Sequence, residues 1–452
     1  MKATLIPSLV QSKKSELIDW ILRHETGREL PLYSSVDIRN SGFKSAVVDT
    51  NLFPAGFNNL CATSVSKATQ EIKKAILSRS LNCQNIIIIM EEHTRNTWYL
   101  ENIRILATII EHAGFKVKVA TFFDKALTVC QEAGFIVETT AIGQPLKIYC
   151  LDRLSESIEL GHEKIDFVVL NNDLTQGIPA ILKFSKIPTY PSIAAGWHSR
   201  SKSHHFTVAN EYLNEIGAVL GIDPWFISCL FSSVDQVSIG EAEDRELLAD
   251  AAADLFKQIQ EKYDEHGITE KPFIFLKSDS GTYGMGVIAV ESPEDILNFN
   301  RKDRNRMSTG KGTMPIHRFI LQEGVPSVRH IENHVGETCI YQIDNHFVGG
   351  FYRVNTLKNE RQNLNSQGML FKQICNTHSD FDDARFANLS DPIGLQTDCF
   401  VSEEHAHLNV TGAAPEFLVA PDPYFEMNVL LARVAGIAAS KEVEELKLQA
   451  SI

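Results

Sequence analysis

The sequence lacks the features of a membrane-bound, exported or nucleic-acid-coating protein. Its most apolar block, residues 86–90, is far shorter than the roughly 18 apolar residues of a membrane-spanning helix. Its N-terminus has no continuous apolar segment followed by a small-residue cleavage site. Basic residues are outnumbered, with 43 Lys and Arg against 57 Asp and Glu and a net charge of −14. We therefore expect a cytoplasmic protein with no membrane and no nucleic acid as partner.

Several motifs of nucleophilic, metal and redox chemistry are also missing. The chain has eight cysteines, and no two of them form a C-x-x-C pair. It has no G-x-S-x-G nucleophile elbow and no G-x-x-x-x-G-K-[ST] phosphate loop. The segment HIENH (330–334) has the order H-x-E-x-H, which is not that of a zinc helix. We expect the cysteines to pack as small apolar residues, as in a reducing compartment.

The fold class predicted from the sequence is α/β, in two domains. A chain of 452 residues has the length of two or three domains. Apolar spacing in the first half predicts helices at 14–25, 64–79 and 99–113 and strands at 85–90, 116–120 and 166–170. Strand, helix, strand is typical of a parallel layer. We therefore predict an N-terminal parallel α/β domain over residues 1–195.

A second domain is predicted over residues 196–452, where the pattern changes. A long helix at 240–266 precedes short β-rich segments that begin near residue 272, and a closing helix spans 424–447. The stretch 299–315 is polar, basic and contains glycine, so we predict a mobile loop there.

Two polar clusters, 91–96 and 171–173, follow predicted strands of the first domain. Ligands bind at the carboxyl ends of strands in parallel sheets, so this edge is a candidate for amino-acid recognition. Arg95 suits a substrate α-carboxylate, and Glu92 suits an α-ammonium group. The complete candidate set is Asn58, Asn59, Glu92, Arg95, Asn96, Asn171 and Asn172. Asparagines often only cap turns, and that alternative stays open.

A glycine-rich segment, FIFLKSDSGTYGMGVIAV (273–290), is the strongest sign of a nucleotide site. It predicts a strand that carries Lys277, a loop and a second strand. Glycines allow close approach of the backbone, and exposed N–H groups and hydroxyls can cradle phosphates beside a lysine. The candidate phosphate-binding residues are Lys277, Ser278, Ser280, Gly281, Thr282, Gly284 and Gly286. A glycine-rich hairpin without a ligand remains the alternative.

Three later segments favour the nucleotide site. The predicted strand 318–325 ends with Gln322, Glu323 and Val325, where backbone groups can face an adenine edge and the acid can face the amino group or ribose. A hairpin is predicted to turn at Asp344 and Asn345 and to carry Arg353 on its second strand. A polar loop with Asn363 and Asn365 follows.

This order of segments resembles the ATP-grasp superfamily and is most similar to glutathione synthetase within it. The resemblance implies an ATP-grasp fold after the N-terminal domain, with ATP and Mg²⁺ as cofactors. It places Lys202 and Lys277 at the two phosphate lysines and Arg353 at the arginine that stabilises an acyl-phosphate. Asn363 matches the asparagine of the following loop, and Asn363 and Asn365 are the metal candidates. The acidic-x-Asn pair usual near the end of the superfamily has only the weak matches 407–409 and 426–428.

A narrower resemblance covers nearly the whole chain. It rests on FPAGFNNL (53–60), EEHTRNTWYLEN (91–102), NNDLTQGIP (171–179), LKSDSGTYGMGV (276–287), GGFYRVN (349–355) and NLNSQGM (363–369). These strings resemble the ATP-grasp-related glutamate–cysteine ligases of proteobacteria, the type first recognised in acidithiobacilli. The resemblance implies that ATP, L-glutamate and L-cysteine give γ-glutamylcysteine, ADP and phosphate, the first step of glutathione synthesis.

Two alternative functions stay open at this point. One is an ATP-grasp carboxylate–amine ligase with another amino-acid pair, such as a glutathione synthetase-like enzyme. The other is a nucleotide-binding regulator without catalysis, although Lys202, Lys277 and Arg353 are all present. The sequence leaves the oligomeric state undecided, and a homo-oligomer is compatible with it.

Overall fold

The computed structural model describes residues 6–92, 96–123, 134–158, 160, 163–281, 286–310, 315–375, 379–381 and 422–450. Of the candidate residues, Arg95, Thr282 and Gly284 lie outside this part, as does the segment 407–409. No helix in the described part is both long and apolar enough to span a bilayer.

Ten α-helices lie in the described part of the chain. They are α1 (Ile6–Ser12), α2 (Lys14–Glu25), α3 (Ala62–Arg79), α4 (Thr97–His112), α5 (Ala180–Phe184), α6 (Lys202–Leu220), α7 (Ala242–His266), α8 (Pro293–Leu297), α9 (Arg301–Ser308) and α10 (Phe425–Ala450). The predicted helices therefore correspond to α2, α3, α4, α7 and α10. Helix α4 ends just before Gly114, whose φ of 100° is a left-handed conformation that glycine adopts readily.

Sixteen strands accompany these helices in the described ranges. They are β1 (Tyr33–Asn40), β2 (Ser45–Asn51), β3 (Asn85–Met90), β4 (Lys116–Phe123), β5 (Phe135–Thr139), β6 (Pro145–Asp152), β7 (Phe167–Asn171), β8 (Thr189–Tyr190), β9 (Phe231–Asp235), β10 (Ile274–Ser278), β11 (Val287–Val290), β12 (Arg318–Glu323), β13 (His330–Ile331), β14 (His334–Ile343), β15 (His346–Asn355) and β16 (Met369–Ile374). They form three sheets, so the fold is a mixed α/β fold.

The first sheet has the order β5-β6-β4-β3-β7-β8 and is parallel except for β5. This confirms the predicted parallel layer. Ile86 and Ile88 of β3 pack with helices α3 and α4, whereas Ile87 and Ile89 pack on the other face with β7. Strand β3 is apolar throughout because both of its faces are covered.

The central sheet joins the two ends of the chain. Its order is β16-β15-β14-β1-β2, all antiparallel, with β13 paired to β14. Strands β1 and β2 come from the segment assigned to the N-terminal domain, yet they extend the sheet of residues 330–374. The division near residue 195 therefore stays a prediction, and this sheet crosses it.

Helix α10 covers one face of the central sheet, and the opposite face is apolar where helix α3 packs on it and polar around Asp37. Val36 and Ile38 of β1, with Ile340 of β14, belong to the same apolar cluster as α10. Because side chains alternate along a strand, Asp37 and the residues in register with it point to the opposite face. That polar face holds the candidate site.

The third sheet, β11-β10-β12-β9, is antiparallel and carries the glycine-rich loop between β10 and β11. The prediction that Lys277 lies near the end of a strand is confirmed. The predicted hairpin at Asp344 and Asn345 is also confirmed, since both residues have positive φ, as a two-residue turn requires.

Two expectations from the sequence are corrected by the described residues. The stretch 299–315 is not simply a loop, because α9 occupies part of it: Asn300 caps this helix by accepting bonds from the backbone N–H groups of Lys302 and Asp303, and Met307 is buried. The helix was missed because the many charged residues and the glycines of this stretch are typical of a loop, and its helix signals are only the cap Asn300 and the apolar residue Met307. Four free cysteines are buried, as expected, and Cys375 is exposed, but Cys150 is disulfide-bonded.

The segment HIENH forms a hairpin and not a helix. Its two histidines belong to β13 and β14, and Glu332 and Asn333 form the turn between them with positive φ. The sequence inference against a zinc helix is therefore confirmed.

Candidate functional site

Three carboxylates from neighbouring strands form the centre of the polar face. Asp37 of β1 lies opposite Asp49 of β2, and Glu337 of β14 lies opposite Arg353 of β15. Strand alternation brings all four side chains to the same side of the sheet. Asp37, Asp49 and Glu337 were not singled out by sequence, because their functional context arises only when β1 pairs with β14.

Arg353 binds two of these carboxylates. Its Nη1 lies 2.8 Å from Asp37 Oδ2 and 2.6 Å from Glu337 Oε1. Arg39 approaches Glu337 from the other side, with its Nε 2.6 Å from Oε2. Burial disfavours the charges of Glu337 and Arg353, but attraction to the neighbouring opposite charges outweighs it, so the pKa of Glu337 is lowered and that of Arg353 is raised well above its usual value. The group is a preformed charge network around Arg353.

The two predicted phosphate lysines converge on β2. Lys202 Nζ lies 2.6 Å from Asp49 Oδ1, and Lys277 Nζ donates to the carbonyl oxygen of Val48 at 3.0 Å and to Gln322 Oε1 at 2.6 Å. Burial lowers the pKa of Lys277 to about 8. The pKa of Asp49 is lowered although burial opposes this, because Lys202 and Lys277 lie close to it. Lys202 and Lys277, which are 75 positions apart in the sequence, therefore both lie close to the carboxylate of Asp49.

The described ends of the glycine-rich loop have the backbone shape expected of it. Gly281 and Gly286 have φ values of 94° and 65°, which other residues adopt only under strain. Ser278, which is buried, donates its backbone N–H to the carbonyl oxygen of Gly286 at 3.1 Å and closes the base of the loop. Ser280 directly precedes Gly281 at the described edge of the loop.

The predicted adenine-side residues lie in the protein interior, and their role in nucleotide binding stays a prediction. Glu323 is 1% exposed, and its two oxygens lie 2.8 Å from Lys44 Nζ. The same carboxylate accepts bonds from Trp225 Nε1 and from the backbone N–H of Leu230. Val325 is also fully buried, and Gln322 points to Lys277. Glu323 and Val325 are therefore part of the core, and Glu323 cannot offer a free carboxylate to an adenine or ribose.

This assignment predicts the outcome of Glu323→Gln. The change leaves Lys44, whose side chain is 0% exposed, without its counter-ion. We expect the free energy of unfolding to fall by about 3–5 kcal/mol in chemical denaturation. The control Glu16→Gln breaks an exposed pair with Lys13 and should cost less than about 1 kcal/mol. Unchanged stability with weaker ATP binding would restore the nucleotide role of Glu323.

The polar residues at the carboxyl edge of the first sheet do come together, but most of them are engaged in structural contacts. Asn171 Oδ1 accepts from the Tyr99 hydroxyl, and its Nδ2 donates to the carbonyl oxygen of Pro54. Asn172 donates to the carbonyl oxygen of Met90 and accepts from the backbone of Leu174. Asn172 therefore caps a turn, Asn171 links neighbouring elements, and substrate binding by either stays a prediction.

The remaining substrate candidates differ in their surroundings. Asn96 caps helix α4 by accepting from the backbone N–H groups of Trp98 and Tyr99. Glu92 lies 2.6 Å from Arg153 Nη1, a guanidinium that sequence analysis did not consider. Asn58 and Asn59 are half-buried and bond to one another at 3.3 Å. Asn58, Asn59 and Glu92 stay candidates for substrate binding.

A short connection links this sheet edge to the lysines. The backbone N–H of Trp197 donates to the carbonyl oxygen of Asp173 at 2.8 Å. The guanidinium of Arg200 and the ammonium of Lys202 lie 4.9 and 4.8 Å from the centre of the Trp197 ring. The amino-acid edge predicted from sequence and the phosphate lysines are therefore parts of one continuous region.

Six buried donors in this region have no acceptor, although other buried polar atoms without a partner occur elsewhere in the described part of the chain. Within the described residues, no partner contacts Arg39 Nη1, Trp197 Nε1, Arg200 Nη1, Gln322 Nε2, Arg353 Nε or Asn363 Nδ2. An unmet buried donor costs about 1–3 kcal/mol. All of these atoms are donors, so the arrangement suits a ligand that is rich in acceptors and negatively charged, such as a polyphosphate with a carboxylate.

The residues that could bind Mg²⁺ differ in whether they have a free oxygen to offer. Asn363 Oδ1 already accepts from the backbone of Asn365, and the unmet Asn363 atom is a donor, which a cation does not need. Glu426 accepts from the Ser379 hydroxyl at the start of α10, and Asn428 is buried. Mg²⁺ prefers carboxylate oxygens, and Asp37, Asp49 and Glu337 offer them, although their ligand atoms do not all lie within 4.8 Å of one another.

A second carboxylate cluster lies elsewhere and is already neutralised. Atoms of Asp223, Glu265 and His266 lie within 4.8 Å of one another. Lys262 Nζ lies 2.7 Å from Asp223 and 2.9 Å from Glu265. Lys262 therefore neutralises both carboxylates of this cluster.

A family model described as GshA, glutamate–cysteine ligase, matches residues 8–416. The chain belongs to the glutamate–cysteine ligase family. It is an enzyme that forms γ-glutamylcysteine from small-molecule substrates, a step of glutathione biosynthesis, and this confirms the function predicted from sequence. Ligation of two amino acids in this family implies ATP as the source of energy.

A solved structure agrees with this assignment. The chain is 31% identical to a protein of Methylobacillus flagellatus KT provisionally named gamma-glutamylcysteine synthetase. The two superpose with a TM-score of 0.79, over 98% of this chain and 96% of the other. No curated protein matches the ligase.

Two other solved structures resemble the ligase only faintly. D-alanyl-alanine synthetase A of Vibrio cholerae is 12% identical with a TM-score of 0.30, over 72% of this chain and 78% of that one. A glutathione synthetase-like effector of Globodera pallida is 12% identical with a TM-score of 0.31, over 82% and 80%. Overlap at this level carries no argument, so the ATP-grasp fold and the similarity to glutathione synthetase stay predictions.

Proposed function

We propose that the polar face of the central sheet is the place where ATP activates the γ-carboxylate of L-glutamate. A carboxylate oxygen attacks the γ-phosphorus, ADP leaves, and an acyl-phosphate forms. The amine of L-cysteine then attacks the acyl carbon, phosphate leaves, and the amine loses a proton. The observation that carries this proposal is the group of buried donors without acceptors around Arg353 and the two lysines.

The residues of this face have separate roles in the proposal. Lys202 and Lys277 hold the phosphates, because two anions must meet and their repulsion must be offset. Arg353 faces the acyl-phosphate and stabilises charge that develops in the transition state. The glycine-rich loop covers the phosphates and excludes water, which would hydrolyse the intermediate. This arrangement is the ATP-grasp organisation predicted from sequence, with a parallel α/β domain before it.

We place Mg²⁺ at Asp37, Asp49 and Glu337, where three carboxylates share one face. A bound Mg²⁺ would neutralise phosphate charge at this position. These carboxylates are paired with Arg353, Arg39 and Lys202, so Mg²⁺ binding requires at least one of these cations to move away. Asn363 and Asn365 have no comparable support. A cytoplasmic location, the proteobacterial type and a homo-oligomer remain part of the proposal as predicted from sequence.

The metal site predicts the behaviour of Asp49→Asn. We expect the Mg²⁺ concentration for half-maximal activity to rise at least about tenfold, because a charged ligand becomes neutral. Direct binding of Mn²⁺, followed by electron paramagnetic resonance, should weaken in parallel. Asp223→Asn at the neutralised cluster is the control and should change neither quantity. Equal metal affinity in Asp49→Asn and the unaltered enzyme would place the ion elsewhere.

Phosphate release tests the proposed chemistry as a whole. The purified enzyme is given ATP and Mg²⁺ with glutamate and cysteine, separately and together. We expect release only with both, and a product one water lighter than their sum whose fragmentation shows a γ-bond. Serine, glycine and 2-aminobutyrate replace cysteine in parallel assays, and release with another pair only would favour the glutathione synthetase-like alternative. ATP binding with no release under any pair would favour the regulator.

A further inference from the structure

Asp279 lies between the two phosphate lysines and was not singled out by sequence. It follows β10 at the start of the glycine-rich loop, two residues after Lys277, and it is 0% exposed. Its Oδ1 accepts the backbone N–H of Ser203 and its Oδ2 accepts the Ser203 hydroxyl, each at 2.7 Å. Its carbonyl oxygen accepts the backbone N–H of Lys202, also at 2.7 Å.

These bonds cap helix α6 from another part of the chain. The first N–H groups of a helix have no partner within it and form its positive end. In α6 the N–H groups of Lys202 and Ser203 bind Asp279, and that of His204 binds the Ser201 hydroxyl. A buried carboxylate that receives such bonds holds the helix end firmly, because charge-assisted bonds are short and strong.

The backbone of Asp279 is anchored on its other side as well. Its N–H donates to the carbonyl oxygen of Arg318 on β12 at 3.0 Å, and Arg318 Nε lies 3.8 Å from its Oδ2. Burial raises the pKa of Asp279, while the bonds from Ser203 oppose this rise. The residue is therefore fixed by β12 and α6 at once, directly beside the loop that follows Lys277.

We propose that Asp279 is a positioning residue that sets the spacing between Lys202 and Lys277 and ties the glycine-rich loop to helix α6. Lys202 is the first residue of α6, and Lys277 lies on β10, so the Asp279–Ser203 contact joins the two elements that carry them. Both ammonium groups can then meet the same phosphate chain. This inference deepens the proposed function and rests on it, because it assumes that the two lysines bind ATP.

The test separates positioning from simple helix capping. Asp279→Asn keeps the volume and removes the charge, and Ser203→Ala removes the hydroxyl bond alone. We expect the Kd of MgADP, measured by calorimetry without amino acids, and the KM of ATP to rise about tenfold in Asp279→Asn and less in Ser203→Ala. The KM values of glutamate and cysteine should stay within about twofold, because the lysines alone are displaced.

A matched control removes the same type of charge from another helix start. Asp295 of α8 accepts bonds from the backbone N–H groups of Glu291 and Ser292 at 2.8 and 3.0 Å. Asp295→Asn should leave the affinity for MgADP unchanged. If Asp279→Asn lowers stability and raises all three KM values together, the residue is a structural cap only and the inference is wrong. If Asp279→Asn does not fold, Ser203→Ala decides, and unaltered MgADP affinity in it overturns the inference.

Failure of the inference can be told apart from failure of the proposed function. Lys202→Ala and Lys277→Ala are measured in the same binding assay. If neither lysine variant weakens MgADP binding, the nucleotide site itself is misplaced. If both weaken it while Asp279→Asn binds like the unaltered enzyme, the site stands and the positioning role alone is wrong.

Discussion

Replacing Arg353 with alanine is expected to lower turnover by about 10²–10³-fold, the size of effect seen when one charge-stabilising donor is lost. The affinity for ATP should change only a few-fold, because the partner of Arg353 arises in the transition state. Its Nε has no acceptor in the described part of the chain, and its Nη atoms are held by Asp37 and Glu337. Steady-state kinetics and calorimetric ATP binding measure the two effects separately. Unchanged turnover would remove Arg353 from the chemistry.

Stability must be followed in the same variant. Arg353→Ala leaves two carboxylates without their shared counter-ion, which costs about 3–5 kcal/mol when one side of a buried pair is lost. Arg433 offers a matched control, since it is buried and pairs with Glu25 at 2.6 Å outside the charge network. Arg433→Ala should lose comparable stability but keep turnover at temperatures where it is folded. Arg353→Lys keeps the charge and tests the forked geometry of the guanidinium.

Replacing Lys277 with alanine is expected to weaken ATP binding itself by about 10–100-fold, because a charged hydrogen-bonding partner of the phosphates is lost. Within the described residues, the ammonium group of Lys277 forms no ion pair and donates to the carbonyl oxygen of Val48 and to Gln322 Oε1. Its charge is therefore available to a polyphosphate. Calorimetric titration with ATP or MgADP measures the effect. Unaltered affinity would argue against the phosphate role of the β10–β11 loop.

The pH dependence of the unaltered enzyme gives an independent test of Lys277. Burial lowers the pKa of this lysine from 10.5 to about 8, so it loses its charge as the pH rises through about 8. ATP affinity should fall over that range, and Lys277→Arg should abolish the fall. The free energy of unfolding should change in the opposite direction and rise with pH. Between about 8 and 10.5 the unfolded chain binds more protons than the folded one, so this lysine makes stability rise with pH.

Local patterns in the sequence were sufficient for most individual elements. Strand β3 was predicted with its observed bounds, because an uninterrupted apolar run has few alternatives. The turn at Asp344 and Asn345 was predicted because these residue types tolerate positive φ. Helix α9 was missed because its only apolar anchor is Met307 and its other residues are polar or charged.

The surroundings of the candidate site residues could not be predicted from sequence, because residue type alone does not reveal a partner. Lys202 and Lys277 both lie beside β2, and the phosphate-binding role that the resemblance implied stays a prediction. Glu323 has the chemistry of a ribose ligand, yet Lys44, 279 positions away, neutralises it in the core. Asn171 and Asn172 follow a strand as a binding site would require, but neighbouring backbone and hydroxyl groups occupy them.

The sequence by itself determined the parallel layer, the lysine strand with its glycine-rich loop and the family resemblance that predicted glutamate–cysteine ligation. These features depend on short periodicities and local motifs. Only the tertiary structure decided which acids belong to the site. Asp37 and Asp49 reach Arg353 and Lys202 because β1 pairs with β2 on one side and with β14, some 300 residues away, on the other. This strand pairing depends on packing of the whole sheet against α10, so it cannot be predicted from any local pattern in the sequence.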